Sequence, residues 1–417
     1  MRILILSHNL IERGNYFRAL KFAHFLAAKG HDVTFMPSSN RWYKPKKYQA
    51  GKVKIIESPS WSFVIGIDDG WSPLGILYRI WTALKKKYDV VYGFSHKPID
   101  FIAAYAAKIL RGSFYISDWC DWWGKGGLFE NIKHFRDMNP NLSPTRKWIL
   151  EMYDRIEANL EEFVPRRADL VTVICQALND RAVEIGIAPE RLLKLVSGAD
   201  TENVRPMDKD KAREEIGLSA LLAGSNAAIL GYTANYHLDE SLLLETMSLV
   251  CRKKIDAKLL VVGAEFRTPD EQMKKWGLKI FDAESGEPMA KEHNIIHFGR
   301  RPFRDVPAYL AASDILLLPM TDIIYNRGRW PHKIGDYLAA GRPIVANDVG
   351  DIPILLRGRD AGLIAASDAQ DFADKIIEMI QAKTRWAEFG ANARKIAETE
   401  LDWNTIGERL YQRISLI

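Results

Sequence analysis

Residues 329–347, RWPHKIGDYLAAGRPIVAN, decide how the chain is read. Pro331 has a fixed φ and no amide proton to lose, which suits a first helical position, and Gly341 with Arg342-Pro343 stops a helix after about three turns. Ile334, Tyr337 and Leu338 fall at i, i+3 and i+4 on one face, and Pro343-Ile344-Val345-Ala346 then reads as a buried strand leading out of the helix. A helix laid against a parallel sheet follows. Its first turn carries His332 and Lys333 beside unpaired backbone N–H groups, where a helix start worth roughly half a positive charge favours an anion such as phosphate. A surface helix with a basic start is the plainer reading of the same residues, because helix starts ordinarily prefer acids.

Outward from this stretch the same alternation continues. Strands are expected at 228–232, 258–262, 295–298 and 315–318, with helices at 238–251 and 306–312. In the first half, strands at 2–6, 33–36, 53–56, 90–92, 114–116 and 170–174 alternate with helices near 18–29, 74–87, 99–110 and 146–163. Between them ADTENVRPMDKD at 199–210 is polar, carries Pro206 and breaks the periodicity, so it reads as a linker. The fold class predicted is α/β: two Rossmann-like doubly wound domains, residues 1–200 and 208–400, facing across a cleft, with a last helix within 401–417 returning to the first domain. Phosphorylated ligands favour a cleft at the carboxyl ends of parallel strands.

At 417 residues, with 47% hydrophobic and 27% charged residues, the chain is long enough for two large cores. A formal charge of +5 is too weak to argue for nucleic acid and is compatible with an acidic small molecule or an anionic membrane surface. Cys120, Cys175 and Cys251 are far apart and match no metal spacing, which points to a reducing compartment and to no metal site. The opening MRILILSHNL lacks the length and flanks of a signal peptide, and no apolar run approaches the ~18 residues of a membrane span, so a cytoplasmic protein is expected. The loop after the first strand holds a single glycine, Gly14, and is no GxGxxG fingerprint, which disfavours a nicotinamide or flavin cofactor.

Several segments together carry a family likeness. GHDVTF (30–35), ADLVTVICQAL (168–178), LVSGADTENVRP (195–206), KLLVVG (258–263), IIHFGRRPFRDVPAYLAASDILLLPM (295–320) and WPHKIGDYLAAGRPIVA (330–346) resemble, in order and spacing, the GT-B glycosyltransferases of family four, glycosyl transferases group 1. The resemblance implies transfer of a hexosyl group, with retention of configuration, from a nucleotide-sugar donor bound mainly by the second domain. The acceptor, a glycan or a lipid-linked acceptor, is held mainly by the first, and neither an obligatory metal nor a further cofactor is implied. In the family a Glu-x7-Glu motif contacts the donor; here Asp336 matches its second position, and Gly328 stands at the first. Arg and Lys commonly follow the first strand of the second domain, but YTANYHLDES at 232–241 has neither, leaving Asn235 and His237, with His332 and Lys333, as donor-binding candidates. Arg300 and Arg301 follow a strand and suit either the donor or solvent. Gly14 and Asn15 stand where the family brings backbone close to the donor phosphates, or form an ordinary turn.

The acceptor side is expected in Ser117-Asp118-Trp119-Cys120-Asp121-Trp122-Trp123-Gly124, read as a loop after a strand. Two acids among three tryptophans are hard to explain as plain core, since buried carboxylates are costly and Trp faces stack on sugar rings. Asp118 or Asp121 is the candidate to orient or deprotonate the acceptor hydroxyl. With retention the expected chemistry is front-face attack, in which the leaving phosphate takes the acceptor proton, so no covalent nucleophile is assigned. Basic and aromatic residues at 41–48, and Trp81 with Lys85-Lys86-Lys87-Tyr88, suit either a peripheral contact with anionic lipid at the membrane inner face or solvated surfaces. The function expected is assembly of a cell-surface polysaccharide or glycolipid. A sugar-nucleotide epimerase, or a nucleotide-sugar-binding protein without turnover, is the alternative.

Overall fold

The structure, a computed structural model, describes residues 1–39, 44–62, 66–67, 70–131, 143–237, 239–285 and 288–417. The basic-aromatic residues Arg41, Trp42 and Tyr43 lie outside the described residues. The chain divides into two compact units. Unit 1 comprises Met1–Ser197, Arg327–Trp330 and Trp403–Ile417; unit 2 comprises Gly198–Asn326 and Pro331–Asp402.

Unit 1 is built on strands β1 (Arg2–Leu10), β2 (Asp32–Ser38), β3 (Lys46–Ala50) and β4 (Val53–Glu57), then, after a small antiparallel hairpin of β5 (Trp61–Ser62) and β6 (Gly66–Ile67), on β7 (Val90–Gly93), β8 (Phe114–Trp119), β9 (Leu170–Val173) and β10 (Leu192–Lys194). Their order is β10-β9-β8-β7-β1-β2-β4-β3, parallel except for β3, which closes the edge antiparallel to β4. Ile3 to Leu6 of β1 are all fully buried, the pattern of a parallel strand covered by helices on both faces. On one face Ile3 and Ile5 pack with Phe22 and Leu26 of the Tyr16–Ala28 helix and with Ile406, Leu410 and Ile414 of the Trp403–Ile414 helix. Gly407 permits that contact, since a Cβ there would meet the Phe25 ring at 2.5 Å. β1 has β2 on one side and β7 on the other, so the strand order reverses beside β1.

Unit 2 carries β11 (Ala228–Ala234), β12 (Ala257–Gly263), β13 (Ile280–Asp282), β14 (Ile295–His297), β15 (Ile315–Leu318), β16 (Ile344–Asn347) and β17 (Gly362–Ala365), all parallel, in the order β13-β14-β12-β11-β15-β16-β17. Along β12, Leu259 and Val261 enter one apolar cluster and Leu260 and Val262 another, the period-2 alternation of a strand sandwiched between two helical layers. The reversal here lies between β11 and β15. The expected helix beyond Pro331 is the seven-residue Lys333–Ala339, shorter than three turns: His332 is only its N-cap, and Gly341, at φ +65°, turns the chain away after Ala340. Ile334, Tyr337 and Leu338 are fully buried beneath it.

One boundary shift alters the chemistry. β8 runs through Trp119, so Ser117, Asp118 and Trp119 are strand residues rather than the start of a loop. Strand pairing carries them there: Ser117 pairs with Gly93 and Val171, and Asp118 with Thr172. Among the described residues no helix is long and apolar enough to cross a membrane.

Candidate functional site

Ligands of doubly wound sheets bind beyond the carboxyl ends of the strands at the point where strand order reverses. In unit 1 that point is the turn after β1. Gly14 adopts φ +53° there, and a Cβ would come within 2.8 Å of Asn9 Nδ2, so both conformation and close approach call for glycine. Asn15 caps the following helix without a side-chain cap bond; instead its Nδ2 donates to Cys120 Sγ at 2.6 Å.

Asp118 is not available to an acceptor. Its carboxylate is buried, with Arg18 Nε and Nη2 donating to its two oxygens at 3.2 and 3.1 Å, and Tyr92 OH and Thr172 Oγ1 donating to Oδ1 at 3.2 and 2.6 Å. Arg18 spends its remaining donors on the carbonyls of Leu195 and Val196 and on Ser197 Oγ. A carboxylate so paired ties β8 to its neighbouring strands and to the Tyr16–Ala28 helix. The expected loop placement of Asp118 is corrected: it is a strand residue whose carboxylate is buried against a guanidinium rather than presented beyond the strand end.

Asp121 lies beyond the strand end and is half-buried. It forms an antiparallel bridge with Arg329, and Trp122 N donates to Gly328 O at 3.0 Å. Burial pushes its carboxyl up to about 7 against the pull of Arg329, with Asp118 and Glu161 adding to the rise. Gly328, at the position where the family motif has an acid, thus serves the backbone of this segment in unit 1, while Asp336 belongs to unit 2.

What fixes the segment is a residue the sequence did not mark. Glu161, buried on the Pro144–Arg167 helix, accepts from Trp119 Nε1 at 3.0 Å, Trp123 N at 2.7 Å and Gly124 N at 2.6 Å. A Cβ on Gly124 would strike Glu161 Oε2. Arg181 stacks over the Trp122 ring at 4.2 Å and donates to Lys125 O and Glu162. Trp123 keeps its ring partly in solvent. No spacing rule links residue 161 to residues 119–124, so only the fold could bring them together.

In unit 2 the reversal places the carboxyl end of β11 at the centre. Tyr232, Thr233 and Ala234 end the strand, the exposed Asn235 follows, and His237 turns back against the sheet. His237 is stacked between Tyr232, at 5.7 Å, and Phe266, at 4.6 Å. Its Nε2 bonds the Ala264 carbonyl at 2.6 Å, which makes Nε2 the protonated nitrogen and leaves Nδ1 as a lone pair, buried and unpartnered among the described residues. Burial, with Lys333 and His297 nearby, lowers its pKa, so the ring is neutral and contributes hydrogen bonding rather than charge. Gly263 makes this possible: at φ +144° its missing Cβ would sit 1.8 Å from Ala234 O, so β11 and β12 close together and present Ala264 O to both His237 and His297.

Lys333 opens the short helix beside these rings, its Nζ 4.4 Å from the Tyr232 ring centroid, a cation–π contact. Thr233 N donates to Tyr337 OH at 3.0 Å, which ties that helix to the strand end. Two acids shape the rim. Asp239 accepts from Thr321 N, Thr321 Oγ1 and Asn326 Nδ2, and Glu240 accepts from Arg267 N, Thr268 N and Thr268 Oγ1. The structure thus brings His237 and Lys333 together on Tyr232. His332 is exposed at the N-cap, Asp336 is half-buried in the first turn, and Arg300 is exposed after β14, next to an Arg301 engaged by Tyr309 OH and Glu284.

Two family models match the chain: "Glycosyltransferase Family 4" over residues 18–203 and "Glycosyl transferases group 1" over residues 228–382. A curated relative, the GDP-mannose-dependent monoacylated alpha-(1-6)-phosphatidylinositol monomannoside mannosyltransferase of Corynebacterium glutamicum, is 24% identical over 52% of this chain and 54% of its own length. A D-inositol 3-phosphate glycosyltransferase of Corynebacterium aurimucosum is 25% identical over 60% of this chain and 57% of its own. These matches span about half the length of the curated relatives. Among solved structures, sucrose-phosphate synthase of Thermosynechococcus elongatus superposes with a TM-score of 0.71 at 14% identity, covering 100% of this chain and 98% of that one. Anabaena HepE in complex with UDP-glucose gives 0.67 at 16% identity, with 100% of both chains covered. Two parallel-sheet units, each under its own half of one family's signature, identify the chain as a member of the family-four GT-B glycosyltransferases.

Proposed function

We propose that the protein transfers a sugar, with retention of configuration, from a nucleotide-sugar donor to a glycan or lipid-linked acceptor, without a metal. The observation that carries this reading is the meeting of the Lys333 ammonium and the His237 ring on Tyr232, with His237 Nδ1 unpartnered among the described residues, at the reversal point of the unit 2 sheet. A cation beside a neutral acceptor suits a ligand that is both anionic and hydroxylated. In this reading Lys333 neutralises the donor diphosphate, with His332 and the backbone of the same turn beside it, and His237 Nδ1 accepts from a sugar or ribose hydroxyl. Asn235, Asp336 and Arg300 complete the donor residues of unit 2; in unit 1 the donor-binding candidates are Gly14 and Asn15, in the turn after β1.

Acceptor binding falls to the 120–124 segment, where the exposed Trp123 ring offers a stacking face and Asp121 hydrogen-bonds the attacking hydroxyl. The acceptor oxygen forms the new bond to the anomeric carbon on the face from which the diphosphate departs. A departing phosphate oxygen takes the hydroxyl proton, so the protein supplies positioning and charge neutralisation rather than a nucleophile. The phosphatidylinositol monomannoside named for the Corynebacterium relative, and the UDP-glucose named for HepE, support a sugar-nucleotide donor and a lipid-linked acceptor here. The reading extends to cell-surface polysaccharide or glycolipid assembly at the cytoplasmic face. None of the relatives or structures named above is described as an epimerase or a binding protein.

Release of nucleoside diphosphate from a panel of sugar nucleotides, with and without acceptor and with and without EDTA, tests the reading. Turnover that survives EDTA and falls about 10²-fold in Lys333→Ala supports it. Tight donor binding with no turnover on any acceptor, or epimerised donor without acceptor, overturns it.

A further inference from the structure

We infer that the outer faces of three neighbouring helices of unit 1, Pro73–Lys85, Pro98–Arg111 and Pro144–Arg167, form a docking surface for an anionic lipid bilayer. Surface helices of an α/β unit normally turn a polar stripe to solvent. Here Leu74, Leu77 and Trp81 recur at i, i+3 and i+7 on the first helix and all face outward, with Leu77 64% exposed. Ile102 and Ile109 do the same on the second, at i and i+7, with Ile109 60% exposed. Phe163 continues the face on the third. The helices lie side by side: the first two pack along their length, Arg111 Nη2 donates to Leu84 O at 2.5 Å, and Phe101 sets its ring edge-on to Phe163 at 5.9 Å. In unit 2, the Glu240–Arg252 and Ala369–Gln381 helices expose no large apolar side chain.

Topology supplies the charge. Each of the three helices leads into one of the adjacent parallel strands β7, β8 and β9, so their carboxyl ends gather at one end of the sheet. Those ends carry Lys85, Lys86, Lys87, Lys108, Arg111, Arg166 and Arg167. Lys86 and Lys108 are matched by Asp32 and Asp169, whereas Lys85 and Arg167 lie against Trp81 and Phe163 of the apolar face itself, at 4.7 Å each. Apolar rings bordered by cations of one sign fit acyl chains beneath anionic headgroups, since aromatic side chains sit at the boundary and the basic ones at the phosphates. A second copy of the same face would bring like charges together.

The inference goes beyond the proposed transfer and is tested without turnover. The full-length protein is floated with phosphatidylglycerol vesicles and with phosphatidylcholine vesicles, at low salt and at about 0.5 M salt, where surface charges are screened. Binding to the anionic vesicles, weakened by salt and cut about tenfold or more by Leu77→Ser with Trp81→Ser and separately by Lys85→Glu with Lys87→Glu, supports the surface. Unchanged thermal midpoints show that both double variants fold. Absence of binding, equal binding to both vesicles, or a wild-type dimer dissolved by the Leu77→Ser/Trp81→Ser pair overturns it. Donor turnover by a protein that ignores vesicles overturns the surface alone, and vesicle binding without turnover leaves the surface standing while the transfer reading falls.

Discussion

At the carboxyl end of β8 unit 1 gathers carboxylates, whereas at the carboxyl end of β11 unit 2 gathers rings around a lysine and a neutral histidine. The acids are answered in different degrees. Asp118 is closed off by Arg18, Tyr92 and Thr172, Glu161 by three N–H groups of the segment it holds, and Asp121 only in part by Arg329. In unit 2 the ring nitrogen of His237 that faces away from Ala264 has no hydrogen-bond partner among the described residues. The contrast separates two uses of buried polar groups. Satisfied ones hold a loop in place, and those with spare capacity are where a ligand is recognised.

The largest effect should come from breaking the closed pair. Arg18→Ala leaves the Asp118 charge buried without its partner and should cost about 3–5 kcal/mol in urea unfolding, while Arg18→Met with Asp118→Leu recovers most of it. Lys333→Ala, the counterpart in unit 2, should cost less stability than Arg18→Ala, because its side chain is half-buried rather than buried. Equal losses at both places would erase the distinction. Next, Glu161→Ala deprives three donors of their acceptor and should destabilise by about 2–3 kcal/mol, and Glu161→Gln by less, because one carbonyl oxygen remains. The informative readout is transfer to acceptor, which should fall further than hydrolysis of the donor alone.

A smaller effect concerns pH. The folded value of Asp121, about 7, lies above its ordinary 3.8, so the native state holds this proton more tightly than the unfolded chain. Stability present below about pH 4 is therefore lost as pH rises towards about 7, and Asp121→Asn should flatten that part of a chemical-denaturation profile. An identical slope in the variant would show that the carboxyl titrates elsewhere. Smallest of all, His237→Phe keeps the stack between Tyr232 and Phe266, and Ala264 O keeps its bond from His297. Stability should hold within about 1 kcal/mol while KM for the donor rises about tenfold, the worth of one hydrogen bond. An unchanged KM would move the donor away from Nδ1.

Periodicity made much of the fold legible. Runs such as Leu259-Leu260-Val261-Val262 are apolar on both faces because helices cover both, and the 329–347 stretch announced its helix and strand through Pro331, Gly341 and Ile344–Asn347. It overran where composition masks pairing. Asp118 looks like a loop acid because strands rarely hold one, and only a guanidinium contributed from residue 18 makes it tolerable inside a sheet. β3 was missed since Lys46-Lys47-Tyr48-Gln49 is an exposed edge with no apolar alternation. Lys333 and His237 were visible as residue types, but their meeting on Tyr232 was not, because they stand 96 positions apart (333 − 237) and no local rule spans that distance. Glu161 had no signal at all, being one acid among several on a long amphipathic helix.

The central claim is that the β11 end of unit 2 receives the donor diphosphate. The most direct measurement is a crystal structure of the protein soaked with a sugar nucleotide that raises its thermal midpoint. The account predicts diphosphate oxygens within hydrogen-bonding distance of Lys333 Nζ and a ligand hydroxyl within reach of His237 Nδ1. Diphosphate bound away from residues 331–333, with His237 Nδ1 still unengaged, would contradict it.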